Sequence, residues 1–295
     1  MIIAAELAEV PPGPKVVAVG SFDGVHLGHQ ALLARARREA ESAGWPLLVY
    51  TFDPPSKVFV RGVGMLSTLS EKLDLLRNQG VDATLAVPFD EAFAARPKEA
   101  FLEDLARLEA RRIVVGEDFA FGRGRAGGPD DLEAVAPTLK VPLLDLGGAP
   151  VKSTRIRELL EAGDVEAARH LLGRPYSARG LVRKGDRVGH EIGFPTANVE
   201  PAPSKVLPRG VFVAEAETGG RRYPALVNVG TRPTLGGGGL RMEVHLLGFS
   251  GDLYGHELQV VFLKRLRGER AFPDLEALRE QIARDLEEAR RFLNL

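Results

Sequence analysis

The stretch KVVAVGSFDGVHLGHQALLARARREAESAGWPLLVYTF, residues 15–52, decides the fold. It opens on a continuous apolar run, crosses a glycine-rich segment, continues as a helical pattern over residues 28–43 and closes on a second apolar run, PLLVYTF. Unbroken apolar runs of this length mark strands buried on both faces, and a helix between two of them implies parallel pairing. The alternation continues with helices expected over residues 70–79 and 97–109, strands at ATLAV, RRIVVG and VPLLDL, and helices near 153–162 and 164–172. The expectation is an α/β domain, a parallel sheet covered by helices on both faces.

After LLGRPYSARG the texture changes. From Arg179 the apolar runs are short and broken by Gly and Pro, as in RGLVRKGD, GVFVAEAETGG, RRYPALVNVG, RMEVHLLGF and ELQVVFLKRL. That pattern predicts an antiparallel β-barrel or sandwich. Leu275, Leu278, Ile282 and Leu286 then recur at helical spacing, so a closing helix is expected to pack on the barrel through them. The boundary is placed at residues 173–177, giving domains over 1–175 and 176–295, and GGGG at 236–239 reads as a hairpin tip or loop.

A chain of 295 residues is long enough for two cores of ordinary size. Its formal net charge of -1 gives no reason to expect a nucleic-acid partner. Cysteine is absent, which removes disulfides, thiolate metal sites and a cysteine nucleophile together. The N-terminus lacks a basic segment followed by a long apolar one, and no run reaches membrane-spanning length. A cytoplasmic protein without a membrane partner is expected, and the oligomeric state is left open.

Two clusters in the first domain carry chemistry. In an open parallel sheet, ligands sit beyond the carboxyl ends of the strands, where helix N-termini offer free N–H groups and partial positive charge. Residues 20–30 occupy such a crossing. Gly20, Gly24 and Gly28 allow tight turns and close approach. His26 and His29, three apart at the helix start, can turn their rings to one side and donate to phosphate oxygens. Alternatively one histidine caps the helix and the other packs in the core. The second cluster is KSTRIRELL, residues 152–160. An N-cap explains one of Ser153 and Thr154. It does not explain Arg155 and Arg157 in the first turn, where the dipole disfavours cations unless an anion neutralises them.

Together GSFDGVHLGHQ, TFDPPS, GVDATLAVPFD, VVGEDFAFGRGRAGG and KSTRIR resemble the adenylyltransferase module of bifunctional bacterial FAD synthetases. GFPTANV, LPRGVFVAE, NVGTRPT, MEVHLLGFSGDLYG and FLKRLRGERAF resemble the riboflavin kinase module of the same family. The resemblance implies a Rossmann-like nucleotidyltransferase domain, an antiparallel barrel, and two reactions. Riboflavin and ATP would give FMN and ADP in the second domain; FMN and ATP would give FAD and pyrophosphate in the first.

For the first domain it implies that Gly20, Phe22, Asp23, Gly24, His26, Gly28, His29, Ser153, Thr154 and Arg157 bind ATP and that Asp118 lies on the flavin side. For the second it implies Glu243 as general base, Gly185, Gly189, Pro195, Thr196 and Asn198 around ATP, Thr196 and Asn198 as Mg²⁺ ligands, and Arg267 and Glu269 beside the flavin. Taken without the family, Glu243 could be a solvated outer-face carboxylate, PTAN an ordinary turn, the glycines hairpin markers, and Arg267 with Glu269 a surface ion pair. Pro55, where a histidine is common in the family, and Glu117 and Ala120 bear on the flavin contacts of the first domain. Two further readings stay open: a kinase whose first domain acts on another phosphorylated acceptor, and a flavin-binding regulator without catalysis.

Overall fold

A computed structural model describes residues 1–184, 193–230 and 240–295. The chain divides into two compact units, Met1–Ser153 and Thr154–Leu295.

The first unit is built on six parallel strands: β1 (Ile2–Ala4), β2 (Lys15–Val19), β3 (Leu47–Asp53), β4 (Ala83–Pro88), β5 (Ala110–Gly116) and β6 (Thr138–Val141), in the order β1-β4-β3-β2-β5-β6. Each neighbouring pair is parallel. All five residues of β2 are buried, as its unbroken apolar run requires. Its residues alternate between two apolar layers. Val17 and Val19 join Leu48, Tyr50, Leu85, Ile113 and Phe101 on one face. Val16 and Ala18 join Leu33, Ala36, Ala40, Val49 and Leu76 on the other.

The helices of this unit are α1 (Leu27–Ala43), α2 (Ser56–Arg61), α3 (Leu69–Asn78), α4 (Glu91–Ala94) and α5 (Lys98–Arg107). Helix α1 buries Leu32, Leu33, Ala36 and Ala40 along one stripe and ends at Gly44, whose φ of 67° is the left-handed cap that glycine adopts without strain. Chain connections run to opposite sides from the adjacent strands β2 and β5, so their carboxyl ends form the switch point of the sheet. One strand boundary differs from expectation. The sequence places a strand at 141–146, whereas β6 ends at Val141, because Pro142 has no N–H to continue the ladder. The short edge strand β1 was not anticipated.

Helix α6 (Ser153–Glu161) spans the division between the units, and α7 (Val165–Leu172) packs on the barrel strands. The barrel consists of β7 (Tyr176–Arg183), β8 (Ala197–Pro201), β9 (Gly210–Thr218), β10 (Arg221–Gly230), β11 (Arg241–Leu246) and β12 (Glu257–Arg267). It closes in the order β10-β11-β8-β7-β12-β9, antiparallel throughout. Helix α8 (Leu275–Leu293) closes it. Its Leu286 and Ala289, flanked by Ile282 and Leu293, meet Val211, Val213 and Leu226. Of the residues expected to pack, Ile282 and Leu286 do so, whereas Leu275 is 58% exposed in the helix's first turn. The tetraglycine at 236–239 lies outside the described residues.

Candidate active sites

The first site lies where β2 gives way to α1. Between them Phe22, Gly24 and Val25 take positive φ angles of 46°, 76° and 38°. For the two non-glycine residues this is strained backbone, which persists only when the surroundings over-determine it. The Phe22 ring is buried among Val16, Ala18 and Leu33, and meets the His29 ring edge-on at 5.2 Å. The Asp23 carboxylate points inward, its Oδ1 accepting from the backbone amides of Leu66 at 2.9 Å and Ser67 at 3.0 Å. The Gly24 amide donates to Ser67 Oγ at 2.9 Å. Phe22, Asp23 and Gly24 thus shape the loop.

The two histidines come together as their spacing foretold. Their rings stack with centroids 3.6 Å apart and planes at 15°. His26 is buried and caps α1, its Nδ1 accepting the His29 amide at 3.3 Å, so the helix-capping role is real for that residue. Gly28 makes the stack possible: a Cβ there would lie 3.2 Å from His26 Cε1 and 3.4 Å from the Val151 carbonyl. Gly20 is confined likewise, since a Cβ would meet the Phe22 ring at 3.2 Å.

Ser153, first residue of α6, donates from Oγ to the Asp23 carbonyl at 3.3 Å, which brings it to this loop. Thr154 is exposed and Arg157 is buried, one turn further along α6. Asp118, just beyond β5 at the switch point, is exposed and ion-paired with Lys152 at 3.0 Å.

Sequence reasoning missed Lys72 of α3. It is fully buried, and its Nζ donates to the Phe52 carbonyl at 2.6 Å, the Ser21 carbonyl at 3.3 Å and Thr51 Oγ1 at 3.4 Å. Burial pushes its ammonium pKa down to about 8, with Asp23 and Asp53 opposing the shift. Nothing in the string EKLDLL marks this lysine apart from any helical surface lysine.

The second site lies on the outside of the barrel. On β11, Met242, Val244 and Leu246 point into the core, while Glu243 and His245 stand half-buried on the other face. Register pairs Glu243 with Asn198 of β8 on one side and Asn228 of β10 on the other. Directly opposed residues share a face with Cβ atoms roughly 5 Å apart. Asn198, Glu243 and Asn228 therefore form one polar row, of which Asn228 was not foreseen. His245 Nδ1 lies 2.8 Å from the Pro195 carbonyl, so Nδ1 carries the proton and holds the segment that bears exposed Thr196. Gly185 and Gly189 lie outside the described residues.

Arg267 is committed elsewhere. Its guanidinium forks onto buried Asp285 of α8, with Nε 3.0 Å and Nη2 2.8 Å from Oδ2, and Nη1 donates to the Gly268 carbonyl at 3.1 Å. An ion pair exists here, but its carboxylate is Asp285. The Glu269 carboxylate rests against the Cα of Gly230, where a Cβ would overlap it.

Comparison with known proteins gives a consistent picture. The family model described as FAD synthetase matches residues 9–156, and the riboflavin kinase model matches residues 172–293. The bifunctional riboflavin kinase/FMN adenylyltransferase of Escherichia coli K12 is 39% identical over 98% of this chain and 96% of that protein. The protein of the same name from Bacillus subtilis strain 168 is 37% identical over 95% and 92%. A crystal structure described as a macrolide-efflux protein from Streptococcus pneumoniae superposes with a TM-score of 0.88 at 30% identity, covering 98% of both chains. In the present chain no helix among the described residues is long and apolar enough to cross a membrane.

Proposed function

This chain belongs to the bifunctional riboflavin kinase/FMN adenylyltransferase family, and from that premise we propose that it makes FAD in two ATP-dependent steps, one in each half. The division of labour is placed at residues 175/176, near the start of the kinase match. Both reactions draw on ATP and small flavins, and on that ground the protein is assigned to the cytoplasm.

The observation that carries the reading is the pairing of Glu243 with Asn198 across β11 and β8. Riboflavin's primary alcohol keeps its proton at neutral pH, so its attack on the γ-phosphorus of ATP needs a base within hydrogen-bond reach. Glu243 takes that proton as the new O–P bond forms and ADP departs. Thr196 and Asn198 supply neutral oxygens beside this carboxylate, a hard donor set that suits Mg²⁺. When bound, that ion neutralises charge on the ATP phosphates. Pro195 fixes the segment through His245; Gly185 and Gly189 are assigned to the phosphates on sequence alone. Arg267 serves the flavin side by anchoring the chain that carries Glu269.

The adenylyl step needs no base. The terminal phosphate of FMN is already an anion; it attacks the α-phosphorus, and pyrophosphate leaves. His26 and His29 hydrogen-bond the phosphates of ATP, with Gly20, Gly24 and Gly28 keeping the backbone close, and neither histidine acts as a nucleophile. Ser153, Thr154 and Arg157 share the phosphate contacts. Asp118 faces the flavin.

Incubating the pure protein with riboflavin, ATP and Mg²⁺ and resolving the flavins tests both steps. FMN followed by FAD is expected. Unchanged riboflavin overturns the reading, and FMN without FAD assigns the first domain to another acceptor.

A further inference from the structure

The loop that leads into His26 and His29 is strained, and the neighbouring segment 66–72 holds it at two places. Asp23 is tied to the amides of Leu66 and Ser67. Lys72, five residues further on, reaches the other end of the loop. Its Nζ bonds the Ser21 carbonyl, two residues beyond the end of β2, the Phe52 carbonyl, next to last in β3, and also Thr51 Oγ1. Thr51 Oγ1 in turn donates to the same Ser21 carbonyl at 3.1 Å, closing a small network. Both Lys72 and Thr51 are fully buried.

A lysine without solvent contact is costly to keep, and a methionine would fill the same space without burying a charge. Packing alone therefore gives no reason for it. What an ammonium supplies and a methionine does not is a simultaneous grip on two adjacent strands, through the Ser21 carbonyl, which Thr51 also reaches, and the buried Phe52 carbonyl. We propose that Lys72 is a positioning residue for adenylyl transfer: it fixes the strained loop so that the stacked histidines meet the ATP phosphates. The inference rests on the reading of this loop as the ATP site.

Displacement of about an ångström at a reacting centre costs up to roughly 100-fold in rate. Accordingly Lys72→Met should lower kcat for FMN adenylylation by about 10- to 100-fold while leaving KM for FMN and the riboflavin kinase rate of the same polypeptide unchanged. The pH profile separates positioning from a merely structural role. The groups facing the ammonium are Asp23 and Asp53. Its pKa of about 8 predicts that wild-type adenylylation falls on an alkaline limb near that pH, and that Lys72→Met lacks this limb. Thr51→Val removes one acceptor of the ammonium and should move the limb to lower pH, which keeps the test usable if Lys72→Met does not fold. A Lys72→Met enzyme with wild-type kcat, or an alkaline limb unchanged in both variants, overturns the inference. Failure of the wild-type protein to convert FMN to FAD overturns instead the reading beneath it.

Discussion

Lys72 and Glu243 sit at opposite ends of what single residues disclose. The outward face of Glu243 on its strand was legible because its neighbours alternate apolar and polar. The meeting of the His26 and His29 rings was legible because residues three apart at a helix start turn to one side. Lys72 and Asn228 were not, since a buried lysine is written with the same letter as a solvated one and a cross-strand neighbour is fixed by register, which local sequence does not state. The burial of Lys72 has a thermodynamic signature of its own. Its folded pKa of about 8 lies below the ordinary 10.5, so between these values the unfolded chain binds the additional proton. Stability from this group is present above pH 10.5 and is lost as pH falls through 8. Urea unfolding followed by the single tryptophan, Trp45, should show the first unit gaining stability from pH 8 to pH 10 relative to Lys72→Met, by up to roughly 3 kcal/mol. Parallel pH dependences in the two proteins would refute the shift.

Among the elements, strands with unbroken or strictly alternating patterns matched their expected places, as β2 and β11 show. Ends were harder: β6 stops at a proline that the apolar pattern alone ignores, and the first turn of α8 leaves Leu275 in solvent although its spacing fits the packed stripe. Periodicity says which side of a helix is apolar, not how far along it the partner surface reaches. What fastens α8 is the fork between Arg267 of β12 and Asp285, whose side chains are only 19% and 5% exposed. Gln281 reinforces it by donating to Asp285 Oδ1 at 2.6 Å. Breaking one side of a buried pair costs about 3–5 kcal/mol, because the remaining charge is stranded. Asp285→Ala should destabilise the barrel unit by about that amount in far-UV circular dichroism, with the Trp45 transition unmoved. An unchanged barrel transition would show that apolar contacts alone hold the helix.

At the scale of the molecule, two folds of different class occupy one chain, and each unit presents its own polar constellation. The assignment of one reaction to each makes a reciprocal prediction. Glu243→Gln should lower FMN formation by at least about 100-fold, the upper range for loss of general-base catalysis being roughly 10⁴, yet leave conversion of supplied FMN to FAD intact. His29→Ala should do the reverse. High-performance liquid chromatography of the flavins reads both, and equal loss of both steps in either variant would contradict separate sites. The class of each fold was readable from the texture of its half. Contacts divide the compact units at Ser153/Thr154, a break that the helical signal of α6 does not mark, because it reads the same whichever neighbour the helix packs against.

Both architectures share one further property. Among the described residues the barrel is closed, and the parallel sheet ends in strands of only three and four residues, β1 and β6. Long unsatisfied margins are what allow one polypeptide to recruit another into a growing fibril. A molecule that exposes so little of them can be crowded without templating its own aggregation, a protection that comes from topology and leaves its surface side chains free for other work.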